Sequence, residues 1–148
     1  MIFRKANMYD TGQLVELRKK QLIDEGGFRE IDIDEELTNY FKANIENGNL
    51  IIWVAIENNK IIATSGVCFY QLPPSFSNPT GKVAYITNIY TSNAYRKQGI
   101  ATKMIGCIIE EIKKKECKVI GLHASSQGKT IYKKQGFSES SGYMFMKL

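Results

Sequence analysis

Residues 95–102 read YRKQGIAT, two cationic side chains and a glycine set directly before a strongly amphipathic stretch. Beyond Gly99 the apolar residues Ala101, Met104, Ile105, Ile108, Ile109 and Ile112 recur at i, i+3, i+4, i+7, i+8 and i+11. That spacing lays one stripe of a helix against a core. Glu110–Lys114 and Glu111–Lys115 offer i,i+4 pairs, with the lysines gathered at the negative end of the helix dipole. KVAYITNIYTS (82–92) before this helix and KVIGLHA (118–124) after it both have strand character, so 82–124 reads as a strand–helix–strand unit with a right-handed crossover. Arg96 to Gly99 form its strand-to-helix turn. A helix N-terminus presents unpaired N–H groups and the positive end of the dipole, which favours an anion. Gly99 permits close backbone approach, Arg96 and Lys97 add mobile positive charge, and a pyrophosphate would suit several convergent amides. An ordinary turn with solvated basic residues fits the same letters equally well.

Toward the N-terminus, IFRKA suggests a short strand. Asp10 with Gln13 resembles a capping box for a helix whose Leu14, Leu17 and Leu22 share a face, stopped at Gly26-Gly27. A second helix fits 34–46 with Leu37, Tyr40, Phe41 and Ile45 as its stripe, ending near Gly48. The period then changes. LIIWVAIE and KIIATSGVCFY are strand-like runs joined by Asn58-Asn59, a two-residue hairpin turn. QLPPSFSNPTG (71–81) holds all three prolines and reads as a loop. Toward the C-terminus QGKTIYKKQ forms a short helix closed by Gly136, and GYMFMKL a final strand. The expected order is β-α-α-β-β-β-α-β-α-β, a mixed α/β chain.

With 148 residues, 43% hydrophobic and 24% charged, the chain is expected to form one domain over 1–148 with a real core. The net charge of +5 is compatible with an anionic ligand but weak support for nucleic acid. No nucleic-acid-binding motif appears and aromatics do not interleave with the lysines, so no nucleic-acid partner is expected. Cys68, Cys107 and Cys117 make no C-x-x-C and read as reduced structural thiols; none has a histidine nearby to activate it. No metal is expected. No apolar run reaches the ~18 residues of a membrane span, and MIFRKANMYD has no leader character, so a soluble cytoplasmic protein is expected.

Better-known phosphate loops fail. GKT at 128–130 needs a glycine at 123 for a P-loop, where His123 stands, and no G-x-G-x-x-G occurs. What remains is Arg96-Lys97-Gln98-Gly99-Ile100-Ala101, which resembles the Q/R-x-x-G-x-G/A acetyl-CoA loop of the GNAT acyltransferase superfamily. IYKKQGF (131–137) resembles that family's second signature, an apolar residue, Tyr, three residues, then Gly-Phe. The two stand in the family's order and spacing, and the element order matches along nearly the whole chain.

The resemblance implies the GNAT fold, a mixed central sheet flanked by helices with strands splayed at the cofactor site, and acetyl-CoA as co-substrate. It implies that the amides of Gln98, Gly99, Ile100, Ala101 and Thr102, with Arg96 and Lys97, hold the pyrophosphate. Strand 83–91 would splay from 119–125 to admit the pantetheine arm along Ile89, Tyr90 and Thr91, and an N–H near Ile89 or Tyr90 would polarise the thioester carbonyl. Lys129, Lys133 or Lys134 would meet the 3′-phosphate, unless they are solvated helix lysines. Ser125 stands where relatives carry a pantetheine-binding Asn, or simply caps the last helix. Tyr132 is the general-acid candidate, giving the leaving thiolate its proton; its alternative is packing.

A base is harder to place. The family often sets a Glu on the strand before the loop, and Tyr85 occupies that place. A water held by Asn88 or a backbone carbonyl, an amine that arrives already neutral, and His123 on a strand facing the cleft are the candidates, His123 being more often a structural residue in such a place. The implied reaction is acetyl transfer to a primary amine in a ternary complex; the alternative is a non-catalytic CoA-binding or protein-interaction module. DEGGFREIDIDEE (24–36), with seven carboxylates, would welcome a cationic amine or merely cap helices. Phe76, Tyr90 and Trp53 are candidate pocket walls, Trp53 being also a core candidate. The final strand offers an edge for a homodimer.

Overall fold

The computed structural model describes residues 1–27, 30–140 and 142–148. Strand β1 (Ile2–Lys5) leads through a 3-10 turn at Met8–Asp10 into α1 (Thr11–Asp24), followed by α2 (Asp34–Asn47). Strands β2 (Leu50–Glu57) and β3 (Lys60–Gln71) then form the hairpin. Asn58 and Asn59, with φ of 49° and 60°, supply the two left-handed positions of a type I′ turn. After the proline loop come β4 (Lys82–Thr91), α3 (Ile100–Lys114), β5 (Val119–Gly121) and α4 (Lys129–Lys134).

The sheet order is β1-β2-β3-β4-β5. The first four strands pair antiparallel and β5 joins β4 in parallel, as the strand–helix–strand unit requires. Strand β2 is apolar at nearly every position because both its faces are covered. Leu50, Ile52 and Val54 pack with Leu14, Val15 and Leu17 of α1 and Phe41 of α2. Trp53 and Ala55 turn to the opposite face, beneath α3. Trp53 is therefore a core residue rather than a pocket wall. Of the expected α3 stripe Met104, Ile105, Ile108 and Ile112 are buried, joined by Ile100, while Ala101 and Ile109 are half-buried at its margin.

Five local expectations are corrected. The capping box belongs to Asn7 and Asp10 of the 3-10 turn. Asp10 is committed to the Asn7 amide and to a two-pronged bond with Arg4 (2.8 and 2.9 Å), while Gln13 accepts from the Ile61 amide across the fold. The α1 stripe is Leu14, Val15, Leu17 and Gln21, with Leu22 only half-buried. On α3 the ion pairs run i,i+3, Lys113–Glu110 and Lys114–Glu111, and Lys5 also reaches Glu111 at 2.9 Å. The strand expected at 118–124 contracts to Val119–Gly121. Residues 143–148 form no strand and are exposed: strand propensity yields a strand only where a ladder partner is present. The dimer pairing expected of that segment has no strand to carry it.

Candidate active site

Two left-handed residues shape the turn before α3. Lys97 has φ of 61° and Gly99, at the helix N-cap, φ of 76°. Alternating handedness in successive residues gathers consecutive N–H groups into a concave, anion-favouring surface. The first helical bond runs from the Lys103 amide to the Gly99 carbonyl (3.1 Å). Among the described residues nothing accepts from the amides of Gln98, Gly99, Ile100, Ala101 and Thr102. The first turn of α3 carries no acidic side chain, so nothing opposes an anion there.

Arg96 is engaged by the protein itself. Its Nε donates to the Thr91 carbonyl (2.9 Å), a terminal nitrogen binds Asp24 at 2.8 Å, and the guanidinium lies 5.8 Å from the centre of the Tyr90 ring. It fastens the loop to the end of α1, and among the described residues Lys97 has no ion-pair partner. Beside this junction an open depression of about 360 Å³ is lined by Lys20, Ile23, Asp24, Tyr90, Ser92 and Asn93.

Strands β4 and β5 pair only over Val83–Tyr85 and Val119–Gly121; beyond Tyr85 they part. A bulge in β4 centres on Asn88, which is left-handed (φ 54°), buried, and paired through Thr64 Oγ1 on its carbonyl and Thr87 Oγ1 on its side chain. Past the bulge the Ser92 amide donates to Ile62 of β3 (2.8 Å). Backbone alternation then turns Tyr90 toward β3, and Ile89 and Thr91 toward the open edge.

Tyr132 stands on α4, the helix that follows β5. It is 8% exposed. Burial lifts its phenol above the ordinary value of 10.0, and the Glu25 charge lifts it further. The ring lies against Gly128, where an added Cβ would come within 2.7 Å of Cε2, and meets Phe137 edge-on at 5.9 Å. The N-cap of this short helix is Gly128 rather than Ser125; Ser125 closes the preceding turn, its Oγ and carbonyl both accepting from the Gly128 amide. Lys129 is held by Glu139 at 2.7 Å and Lys133 lies 3.9 Å from the same carboxylate.

His123 lies beyond β5 in an exposed loop rather than on a strand. Its Nδ1 shares a hydrogen bond with the Tyr85 hydroxyl, and Tyr143 stands edge-on to the ring at 6.0 Å. Burial raises the Tyr85 phenol, and the Cys68 sulfur adds to it. The acidic segment is partly spent: Asp24 holds Arg96, Asp34 holds Lys19, and Glu25 accepts from Gln21 (3.1 Å). Phe28 and Arg29 of that segment lie outside the described residues. Phe76 is fully exposed at a loop tip, and Tyr90 is half-buried on the cleft side.

Arg18, Gln21 and Glu25 were not singled out from the sequence. They stand at i, i+3 and i+7 on one face of α1 and its C-cap, and that spacing is the signal that marks them.

The profile of the acetyltransferase (GNAT) family matches residues 14–137. The chain belongs to that family. Among solved structures, a predicted acetyltransferase from Clostridium acetobutylicum, crystallised with acetyl-CoA, is 44% identical with a TM-score of 0.95, over 99% of this chain and 95% of that one. A GCN5-related N-acetyltransferase from Ralstonia eutropha (20% identity, TM-score 0.87, 99% and 97% coverage) shares the fold. So does glucosamine-6-phosphate N-acetyltransferase from Arabidopsis thaliana (23%, 0.77, 99% and 97%). No curated protein matches the sequence. No helix among the described residues is long and apolar enough to cross a membrane.

Proposed function

We propose that this acetyltransferase moves an acetyl group from acetyl-CoA to a primary amine by direct attack, the 148 residues acting as one domain. The observation that carries the proposal is the row of unpartnered amides from Gln98 to Thr102 at the head of α3. The amides and Lys97 would hold the pyrophosphate, and the open edge of β4 beyond Tyr85 would take the pantetheine arm alongside Ile89 and Thr91. Acetyl-CoA supplies an activated thioester. The Ile89 N–H, on that open edge, is the donor we assign to its carbonyl oxygen, a place where charge develops during attack. Tyr90 lines the same strand from the acceptor side. Tyr132 keeps its proton through neutral and mildly alkaline pH and delivers it to the departing sulfur.

For the acceptor's proton we assign His123, whose exposed ring is oriented through Nδ1 by Tyr85, acting directly or through water. Asn88 shapes the bulge that opens the strand edge. Ser125 fixes the start of α4, and so the position of Tyr132. Lys129 reaches a 3′-phosphate only by leaving Glu139.

Thermal unfolding with acetyl-CoA tests the proposal. At ~100 times the dissociation constant, ligand stabilises the fold by about 2.7 kcal/mol. An unchanged midpoint overturns it. Tyr85 in the place of the family's frequent glutamate favours a second reading, a module that binds CoA without transferring. Stabilisation by acetyl-CoA with no thiol released across a panel of amines would select that one.

A further inference from the structure

The described arginines fall into two kinds. Arg4 grips Asp10 with both terminal nitrogens, and Arg96 pairs with Asp24 at 2.8 Å. Arg18, half-buried on α1, has only a neutral partner, its Nη1 donating to Oε1 of Gln21 at 3.0 Å. Among the described residues no carboxylate lies within 4.0 Å of it, and the undescribed Phe28, Arg29 and Ser141 carry none. Neighbouring carboxylates are engaged elsewhere: Glu16 and Asp34 both take Lys19 at 2.8 Å. A partly desolvated guanidinium without an opposite charge is unfavourable for the fold by itself. Its planar fork is suited to a carboxylate or phosphate.

Helix α1 lies over this part of the sheet: Cys68, opposite Tyr85 in the β3–β4 register, and Tyr90 pack against the core cluster that Leu14, Val15 and Leu17 share. The Arg18 charge also bears on the Tyr40 and Tyr85 phenols, against the burial that raises them. Tyr85 is the last residue of β4 to pair with β5, so this is where the strands begin to part. Gln21, 7% exposed, fixes Arg18 through its amide oxygen and donates from its amide nitrogen to Glu25 at 3.1 Å. Glu25 in turn bears on Tyr132. Residues 18 and 25 are about two helical turns, or ~10 Å, apart along the axis. Along this face the charge thus runs from cationic at Arg18, midway along α1, to anionic at Glu25, its C-cap residue.

Building on the acetyl-transfer reading, we propose that the acceptor is a small primary amine carrying a carboxylate or phosphate several bonds away, with Arg18 seating the anion and the amine directed toward Tyr132. A polyamine, cationic throughout, meets the unpaired guanidinium unfavourably. That separates this proposal from the cationic acceptor the acidic segment suggests.

The test uses the full chain with saturating acetyl-CoA and four acceptors of similar length: 6-aminohexanoate, an aminoalkyl phosphate, an uncharged amino alcohol and spermidine. Thiol release gives kcat/KM for each, and calorimetry gives binding to the CoA complex. One of the two anionic amines is expected to exceed the amino alcohol by roughly 10–100-fold, the scale of a charge-assisted hydrogen bond. Whichever does so identifies the anion. Arg18→Gln should lower kcat/KM for that anionic amine at least about tenfold more than for the amino alcohol, through KM, and Arg18→Lys should recover part of the loss. Retained stabilisation by acetyl-CoA shows that either variant is folded.

Spermidine or the amino alcohol as best acceptor, an equal loss for all four in Arg18→Gln, or no binding and no turnover of either anionic amine overturns the inference while leaving acetyl transfer intact. Failure of the wild type to bind acetyl-CoA removes the proposed function, and this inference with it.

Discussion

Replacing Gly99 and Gly106 by alanine, seven residues apart in the same segment, should shift stability in opposite directions. At Gly99 the added Cβ meets nothing within 4 Å, so crowding plays no part and the backbone decides. Its φ of +76° is left-handed, which costs an L-residue about 1–2 kcal/mol. Gly106 lies inside α3, also with open space around a Cβ, and there alanine contributes roughly 0.5–1 kcal/mol through helix propensity. At this chain length each kcal/mol moves the midpoint by about 2–4 °C. Gly99→Ala should therefore melt about 2–8 °C lower and Gly106→Ala about 1–4 °C higher by calorimetry. Gly99→Ala should also weaken acetyl-CoA binding, because relieving the strain turns the amides of Gln98 to Thr102 away from one another, while Gly106→Ala should bind as the wild type does. A neutral or stabilising Gly99→Ala with unchanged affinity would refute the claim that the left-handed turn creates the anion site.

Tyr132→Phe should bind acetyl-CoA normally and lower kcat by about 10²-fold or more. In the wild type the alkaline limb of kcat should lie above pH 10, since burial first and Glu25 second raise the phenol from its ordinary 10.0. Gly128→Ala puts a methyl 2.7 Å from the Tyr132 ring and should reduce kcat more than it raises the KM for acetyl-CoA. Asp10 governs acid sensitivity. The Arg4 hydrogen bonds hold its carboxyl below the ordinary 3.8, against an opposing effect of burial. A depressed folded pKa stabilises above the unfolded value and is lost as pH falls through the folded one. Asp10→Asn should then cost roughly 1–2 kcal/mol at neutral pH, allowing for the part-exposed Arg4. In denaturant titrations the gap to wild type should close below about pH 4.

What the letters reveal depends on how local the determining interactions are. The α3 stripe, the Asn58-Asn59 turn and the two-faced burial of β2 follow from periodicity and backbone preference, which act within a few residues. The loop before α3 was legible for the same reason, since Gly99 and the basic pair are contiguous. The committed state of Arg96 was not, because its partner Asp24 is 72 positions away. The Tyr85–His123 bond likewise joins β4 to the loop after β5, brought together only by the crossover, and the Arg18–Gln21–Glu25 line has meaning only once α1 lies over β4. At the C-terminus, GYMFMKL has the composition of a strand without a ladder partner, and composition alone cannot supply one.

A crystal structure of the protein grown with acetyl-CoA bears most directly on the central claim. Diphosphate oxygens should lie about 2.7–3.2 Å from the nitrogens of several residues between Gln98 and Thr102, with the thioester carbonyl facing Ile89 N–H. Acetyl-CoA bound with its diphosphate away from those amides would contradict it.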